Sequence, residues 1–172
     1  MKTVLVYLEK CYGCLTCSLA CGAAHSSSGT ITGAMQEGVP GRILVEAAGK
    51  QPVPILCRHC EGAPCVGACM TGAMQQDSTT GLVSNEGHPQ ACVGCWMCVM
   101  ACPYGAIIQA PGARLALKCD GCPGREIPAC VESCPNGALA YEEVNSFAEA
   151  RRRSLAAGLV GGTAPEACGQ GG

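Results

Sequence analysis

Aromatic side chains are scarce in this 172-residue chain, which has one tryptophan, one phenylalanine and four tyrosines. A core built on ring packing is excluded. Charged residues are few, at 14%, and no apolar run approaches the roughly 20 residues needed to cross a bilayer. Membrane insertion is not expected. Residues 1 to 9 hold too short an apolar run for a signal peptide and no twin-arginine pair, so the expected location is cytoplasmic. There is no glycine-rich phosphate loop leading into a helix, no nucleophile elbow, and no site resembling one for flavin or nicotinamide. Catalysis is not expected of this chain.

What it has in excess is glycine, with 24 residues, and cysteine, with 17. Sixteen of the cysteines fall into four quartets: Cys11/Cys14/Cys17/Cys21, Cys57/Cys60/Cys65/Cys69, Cys92/Cys95/Cys98/Cys102 and Cys119/Cys122/Cys130/Cys134. The first and third are spaced C-x2-C-x2-C-x3-C, and Pro103 follows Cys102, which is the signature of bacterial-type [4Fe-4S] ferredoxins. Three thiolates from a short loop wrap one cubane, and the fourth, beyond a short helix, serves another. Quartets working in pairs would make two cubanes per pair, and four quartets would make four.

Other uses of these thiols fit less well. Disulfides belong to oxidising compartments, and thiols two residues apart are poorly placed to pair locally. Zinc ribbons need two knuckles separated by a spacer, whereas Cys11 to Cys21 crowds four thiols into eleven residues. With so little apolar mass, the inorganic clusters would replace the missing core, and metal binding and folding would then be one equilibrium. The formal charge of −2 counts the cysteines as neutral. Each oxidised cubane with four thiolates adds −2, which brings the chain to roughly −10 and argues against nucleic acid as a partner. The basic run Arg151-Arg152-Arg153 is read as a solvated helix face.

An internal repeat supports the cluster reading. Three quartets resume alike: Cys69-Met70-Thr71-Gly72-Ala73-Met74, Cys102-Pro103-Tyr104-Gly105-Ala106-Ile107 and Cys134-Pro135-Asn136-Gly137-Ala138-Leu139. The unit is loop, one-turn helix, strand, with proline stopping the helix and glycine allowing the reversal. The first quartet departs, since Cys21 is followed by Gly22-Ala23-Ala24-His25 and a stretch read as flexible, Ser26-Ser27-Ser28-Gly29. Strands are expected at 3–8, 43–47, 82–84, 106–109, 113–118 and 138–141. Val144, Phe147, Ala148, Leu155 and Leu159 recur at helical spacing, so a C-terminal helix is expected over 143–160, ended by Gly158 or Gly161-Gly162. It either packs back on its own core or serves as an arm toward a partner. Residues 161–172 read as a flexible tail, with Cys168 a spectator.

Several residues between the thiols invite roles. Gly13, Gly94 and Gly121 either let backbone N–H groups approach the sulfurs or only shape the turns. Tyr12 and Trp96 either shield a cluster or simply pack. His59 is read as a surface or supporting residue and not a ligand, because the cysteine set is complete. Arg58 and Lys118 are read as cations that offset cluster charge, contributing little if exposed.

Over residues 3 to about 142 the chain resembles the four-cluster polyferredoxin subunits of multi-subunit oxidoreductases, with quartets spaced 2-2-3, 2-4-3, 2-2-3 and 2-7-3 in that family's order. The resemblance implies an α+β fold of two pseudo-symmetric, bacterial-ferredoxin-like bicluster modules with short hairpins and one-turn helices. Module one would come from about 1–40 and 111–142, and module two from about 41–110. It also implies four ligand sets: Cys11, Cys14, Cys17 with Cys134; Cys119, Cys122, Cys130 with Cys21; Cys57, Cys60, Cys65 with Cys102; and Cys92, Cys95, Cys98 with Cys69.

Some family members lack a cysteine in the third quartet and hold a [3Fe-4S] cluster there, but here that quartet is complete, so four [4Fe-4S] clusters are expected. Closely spaced cubanes would relay electrons by hopping. The chain lacks the long insertions and membrane helix of exported relatives. It is similar to the short branch that includes the small iron-sulfur subunit of tungsten aldehyde oxidoreductases, toward which the likeness leans, and the ferredoxin-like partner of carbon monoxide dehydrogenase. Implied partners are a catalytic subunit holding tungsten, molybdenum or nickel, as in hydrogenase or formate dehydrogenase, and a flavin- or NAD-reducing subunit. Stacking of the chain on itself into a filament is a further expectation. A free soluble ferredoxin is the alternative, and a redox sensor is disfavoured because no output domain is visible.

Overall fold

The structure, a computed structural model, describes residues 2–87 and 89–161. The expected tail from residue 162 onward, with Cys168, lies outside the described residues. Eight strands among the described residues pair into four antiparallel ribbons. β1 (Lys2–Val6) pairs with β8 (Leu139–Glu143), β2 (Leu44–Ala48) with β3 (Gln51–Ile55), β4 (Gln75–Gln76) with β5 (Val83–Ser84), and β6 (Ile107–Gln109) with β7 (Ala116–Lys118). The β1–β8 pair, from Lys2↔Glu143 to Val6↔Leu139, ties the two ends of the cysteine-bearing chain together. The helices are α1 (Thr16–His25), α2 (Ile31–Glu37), α3 (Pro64–Gly67), α4 (Met97–Ala101), α5 (Ala129–Glu132) and α6 (Val144–Gly161). The fold is a mixture of short antiparallel hairpins and short helices closed by one longer C-terminal helix.

The expected repeat is present in atomic detail. Gly72, Gly105 and Gly137 all adopt left-handed backbone, at φ 71°, 61° and 60°. Each donates its N–H to the carbonyl of the cysteine three residues earlier, at 3.2 to 3.3 Å. Ala73, Ala106 and Ala138 follow, and Met74, Ile107 and Leu139 after them; all six are buried. The turn thus drops a small residue and then a large one into the interior before the strand begins.

Four local expectations are corrected. The stretch Ser26 to Gly29 is a bonded turn, because Glu37 accepts the Ser27 and Ser28 N–H groups at 2.7 and 3.1 Å. It leads into α2, which the sequence reading left out although its boundaries carry ordinary signals. Thr30 caps it by accepting the Gly33 N–H at 3.0 Å, and Gly38 ends it at φ 68°. Strand β3 was hidden by Pro52 and Pro54; lying two apart, their missing N–H groups fall on one edge, the free edge of a two-stranded ribbon. β4 is two glutamines, too short and polar to show alternation.

The apolar interior is split in two. One cluster gathers Cys17, Cys21, Ile43, Leu56, Cys130 and Leu139; the other gathers Ala63, Cys65, Met74, Val83, Cys98, Ile107 and Ala116. Against the first end of the molecule lies α6. Phe147 stacks near Tyr7 with ring centroids 4.7 Å apart, and Arg151 pairs with Glu9 at 2.8 Å while lying over both rings, at 5.0 Å from Tyr7 and 5.3 Å from Phe147. Arg151 is therefore an anchor, against its reading as part of a solvated face. The far half of α6 carries Leu155, Leu159 and Val160 exposed. Replacing Phe147 by Ala is expected to cost the α6 anchor about 1 kcal/mol; amide hydrogen exchange should quicken along α6 and stay unchanged in α1 and β6.

Candidate metal centres

Each quartet opens with a Cys-x-x-Cys loop whose third residue has positive φ: Gly13 at 71°, His59 at 45°, Gly94 at 64° and Gly121 at 83°. The three glycines also meet a second element. An added Cβ would stand 3.0 Å from Pro52 Cβ at Gly13, 2.3 Å from the Arg114 carbonyl oxygen at Gly94, and 2.8 Å from Leu82 at Gly121. Turn geometry and close approach together demand glycine there.

His59 takes the same conformation without being glycine. Its ring compensates: Nδ1 accepts the Val83 N–H at 2.9 Å, and its own backbone N–H donates to Cys57 Sγ at 3.4 Å. Burial, helped by the charge of Lys118, pulls the His59 imidazole down to about 4. It is a structural residue inside the fold and not a surface one.

The third cysteine of every quartet is the second residue of a helix: Cys17 in α1, Cys65 in α3, Cys98 in α4 and Cys130 in α5. All four are buried. The fourth cysteine comes four residues on, displaced by about 6 Å along a helical path, so its sulfur serves a different hollow. Backbone N–H groups receive these fourth sulfurs. Met74 donates to Cys69 Sγ at 3.3 Å and Ala138 to Cys134 Sγ at 3.2 Å. For Cys21 the donor is Arg42, at 3.2 Å, with buried Ile43 next in line. Arg42-Ile43 therefore stand where Ala138-Leu139 stand in the last quartet, and α2 is an insertion inside a fourth copy of the same unit.

Three hollows are each lined by four cysteines. The first holds Cys11, Cys14, Cys17 and Cys134, the second Cys57, Cys60, Cys65 and Cys102, and the third Cys69, Cys92, Cys95 and Cys98. Each encloses about 340 to 350 Å³ of free space, part of it open to solvent. Trp96 lines the third, and Tyr12, 77% exposed, lines the first without covering it.

The remaining four cysteines are Cys21, Cys119, Cys122 and Cys130. Burial pushes the Cys130 thiol far up, and the nearby Cys21, Cys119 and Cys122 push it further. Burial likewise raises Cys119 to about 12. Thiolates so enclosed persist only when positive ions lie among them.

A charged network braces this last group. Asp120, the residue after Cys119, accepts from His25 Nε2 at 3.1 Å and from Arg42 Nη1 at 3.0 Å, and Arg42 also reaches Glu86 at 2.9 Å. Hydrogen bonding to Asp120 and then to Cys21 raises His25 to about 10. Burial would raise Asp120, but the His25 bond, the Cys122 N–H and Arg42 hold it well below the usual carboxylate range. His25, Asp120 and Cys122 place ligand atoms within 4.8 Å of one another. A histidine that keeps its proton at neutral pH is a donor to Asp120 there and not a metal ligand. Sequence reasoning missed this bridge, because residues 25, 42, 86 and 120 meet only in the folded chain.

The sulfurs suit iron better than any other use. All sixteen cysteines among the described residues are free thiols, so disulfides do not claim them. Sulfurs gathered in fours around hollows, the third of each quartet buried and several accepting backbone N–H bonds, are the donor set of a cubane. The fold and the sites define an iron-sulfur protein. The sequence profile of the 4Fe-4S dicluster domain matches residues 50–144. An iron-sulfur protein of Rhodospirillum rubrum is 36% identical over 90% of this chain and 92% of its own, and the electron transport protein HydN of Escherichia coli K12 is 36% identical over 89% and 97%. A chain in the active site complex BamBC of benzoyl coenzyme A reductase, solved with benzoyl-CoA, aligns at a TM-score of 0.44 with 24% identity over 90% of each chain. The chain belongs to the 4Fe-4S dicluster domain family, among its polyferredoxin-like electron-transfer proteins.

The glycine argument gives a test. Gly94→Ala meets both an unfavourable φ and the Arg114 carbonyl, whereas Gly112→Ala, at φ 68° with open space around it, meets the φ alone. Gly112→Ala should cost about 1 kcal/mol. Gly94→Ala should cost distinctly more and release iron, read by anaerobic thermal melting and iron analysis of the two variants side by side.

Proposed function

We propose that this chain is the electron-transfer subunit of an oxidoreductase complex, relaying electrons through four [4Fe-4S] clusters between a catalytic metal-cofactor subunit and a redox partner. The observation that carries the reading is the membership of the hollows. Each of the three joins three cysteines of one quartet to the fourth of another: the first quartet with Cys134, the second with Cys102, the third with Cys69. The four cysteines outside those hollows, Cys119, Cys122, Cys130 and Cys21, make the fourth set, supported by the nearness of the other three to Cys130. When bound, such a cluster takes up one electron on reduction and yields it on oxidation, with no proton moved and no bond broken.

The chain's own residues hold the sulfurs, exclude water and set the charge around them. Two modules follow from the same sets, with the division of the apolar interior in support: one cluster contains cysteines of the first and last quartets, the other those of the middle two. The modules meet where Cys57 raises Cys119. This gives a linear order, in which the Cys11 set and the Cys92 set lie at the two ends. Both ends expose apolar side chains beside their hollows, Tyr12 and Leu15 at one and Val93 at the other, suited to docking proteins.

Electron transport is the printed role of HydN, which the chain resembles over nearly its whole length. Among catalytic partners, sequence likeness favours a tungsten aldehyde oxidoreductase over carbon monoxide dehydrogenase, hydrogenase or formate dehydrogenase. The exposed far half of α6 offers a contact to that partner. No described helix is long and apolar enough to cross a membrane.

Cys134→Ser tests the pairing. The anaerobically purified native chain should carry about sixteen irons. The variant should lose or alter one cluster only, seen by electron paramagnetic resonance as a changed share of the reduced signal, and its co-purifying subunits should name the reaction. An unchanged spectrum, or native protein carrying zinc, contradicts the proposal.

A further inference from the structure

Lys118 is 2% exposed, the one fully enclosed charged side chain among the described residues. The discount applied to an exposed cation therefore does not apply to it. It ends β7 and directly precedes Cys119. Its Nζ donates to the carbonyl of Val83 and, at 2.6 Å, to the carbonyl of Cys119. Val83 is itself completely buried, and its N–H is the one held by His59. The ammonium is thereby pinned between strand β5 and the start of the fourth quartet.

Both of its described partners are neutral carbonyls, and none of the described ion pairs includes it. Arg42, the other deeply placed cation, is matched by Asp120 and Glu86. An enclosed ammonium with no carboxylate is strongly unfavourable unless other negative charge lies close. Two cysteine sets supply it. The bond from Lys118 to the Cys119 carbonyl places it at one set, and Val83, whose carbonyl it also holds, packs with Cys65 and fixes His59 between Cys57 and Cys60 at the other. Between those sets lies a hollow with about 510 Å³ of free space, part of it open to solvent, lined by Cys57, His59, Leu82, Cys119 and Gly121, the place where the two modules touch.

We infer that Lys118 is a positioning residue for the relay: its unpaired buried charge holds the Cys57 set against the Cys119 set and raises the reduction potentials of those two centres above what their thiolates alone would give. The inference rests on the ligand sets proposed above. An ammonium fixed in a low-dielectric junction favours the form carrying one more electron, and solvent screens it little. Its position at the junction makes the effect selective, strongest at the two middle sets and weakest at the Cys11 and Cys92 sets. Transfer between modules is one electron leaving one middle site and entering the other, and Lys118 raises both sites.

The experiment is a redox titration of the full-length, anaerobically purified chain with dithionite as reductant, followed by electron paramagnetic resonance. It compares native protein, Lys118→Gln, which keeps an N–H donor without the charge, and Lys118→Arg, which keeps the charge. Expected is a shift of two of the four reduction steps to more negative potential in Lys118→Gln, with the other two unmoved and Lys118→Arg close to native. Four unmoved steps, or four equal shifts, overturn the inference.

Should Lys118→Gln fail to keep its iron, Leu82→Lys decides, with Leu82→Met as its control, because it adds an ammonium at the same junction. Two steps should move to more positive potential; no movement overturns the inference. Iron analysis separates this from the reading beneath it. Native protein with fewer than about sixteen irons defeats the ligand sets, whereas a full native complement with unshifted variants defeats the role of Lys118 alone.

Discussion

Sulfur held around metal is the constraint on which this structure depends. The chain gathers sixteen thiols and buries six of them, and burial pushes several, Cys119 and Cys130 above all, away from the ionised state that a ligand needs. Without positive ions those enclosures oppose themselves, both by desolvation and by mutual repulsion. The remaining apolar interior is two small clusters in which cysteines alternate with Ala, Val, Ile, Leu and Met. Each hairpin has two strands, which is marginal in water by itself. Each gains its stability by packing on a cysteine cluster, so metal ligation and folding are one process.

One unit, used four times, meets this constraint. A Cys-x-x-Cys loop turns through a left-handed third residue, a short helix buries the third cysteine at its second position, and a tight turn offers an N–H to the fourth sulfur. The variations follow where the copies meet different surroundings. His59 replaces glycine in one loop because its ring can bond Val83. Arg42 replaces the usual turn after Cys21 because α2 is inserted, and its side chain then serves the bridge to Asp120 and Glu86. These polar contacts and Lys118 tie together stretches of chain far apart in sequence.

Much of this was legible in the residues. Cysteine spacing announced the metal, and the recurring Gly-Ala-apolar triplet announced the reversal and strand that follow, because both signals are local. The fourth copy was not legible, since its thiol and its N–H donor are separated by 21 residues and no short window contains both. Strand β3 escaped because proline usually argues against a strand, and only the two-stranded ribbon makes it harmless. Arg151 was misplaced because a cation in a basic run is read as solvated until the fold shows what holds it, and the enclosure of Lys118 was likewise invisible in the sequence. Most of the sixteen sulfurs could be grouped from the sequence only through resemblance, as the groups join residues up to 123 positions apart, as in Cys11 with Cys134.

The dependence of the fold on its metal is most directly tested by removing iron anaerobically with a chelator while recording iron content and far-ultraviolet circular dichroism together. The account predicts that strand and helix signals fall in step with iron, leaving an unfolded chain that regains structure when iron and sulfide are restored. A chain stripped of iron that kept its secondary structure and its melting transition would contradict it.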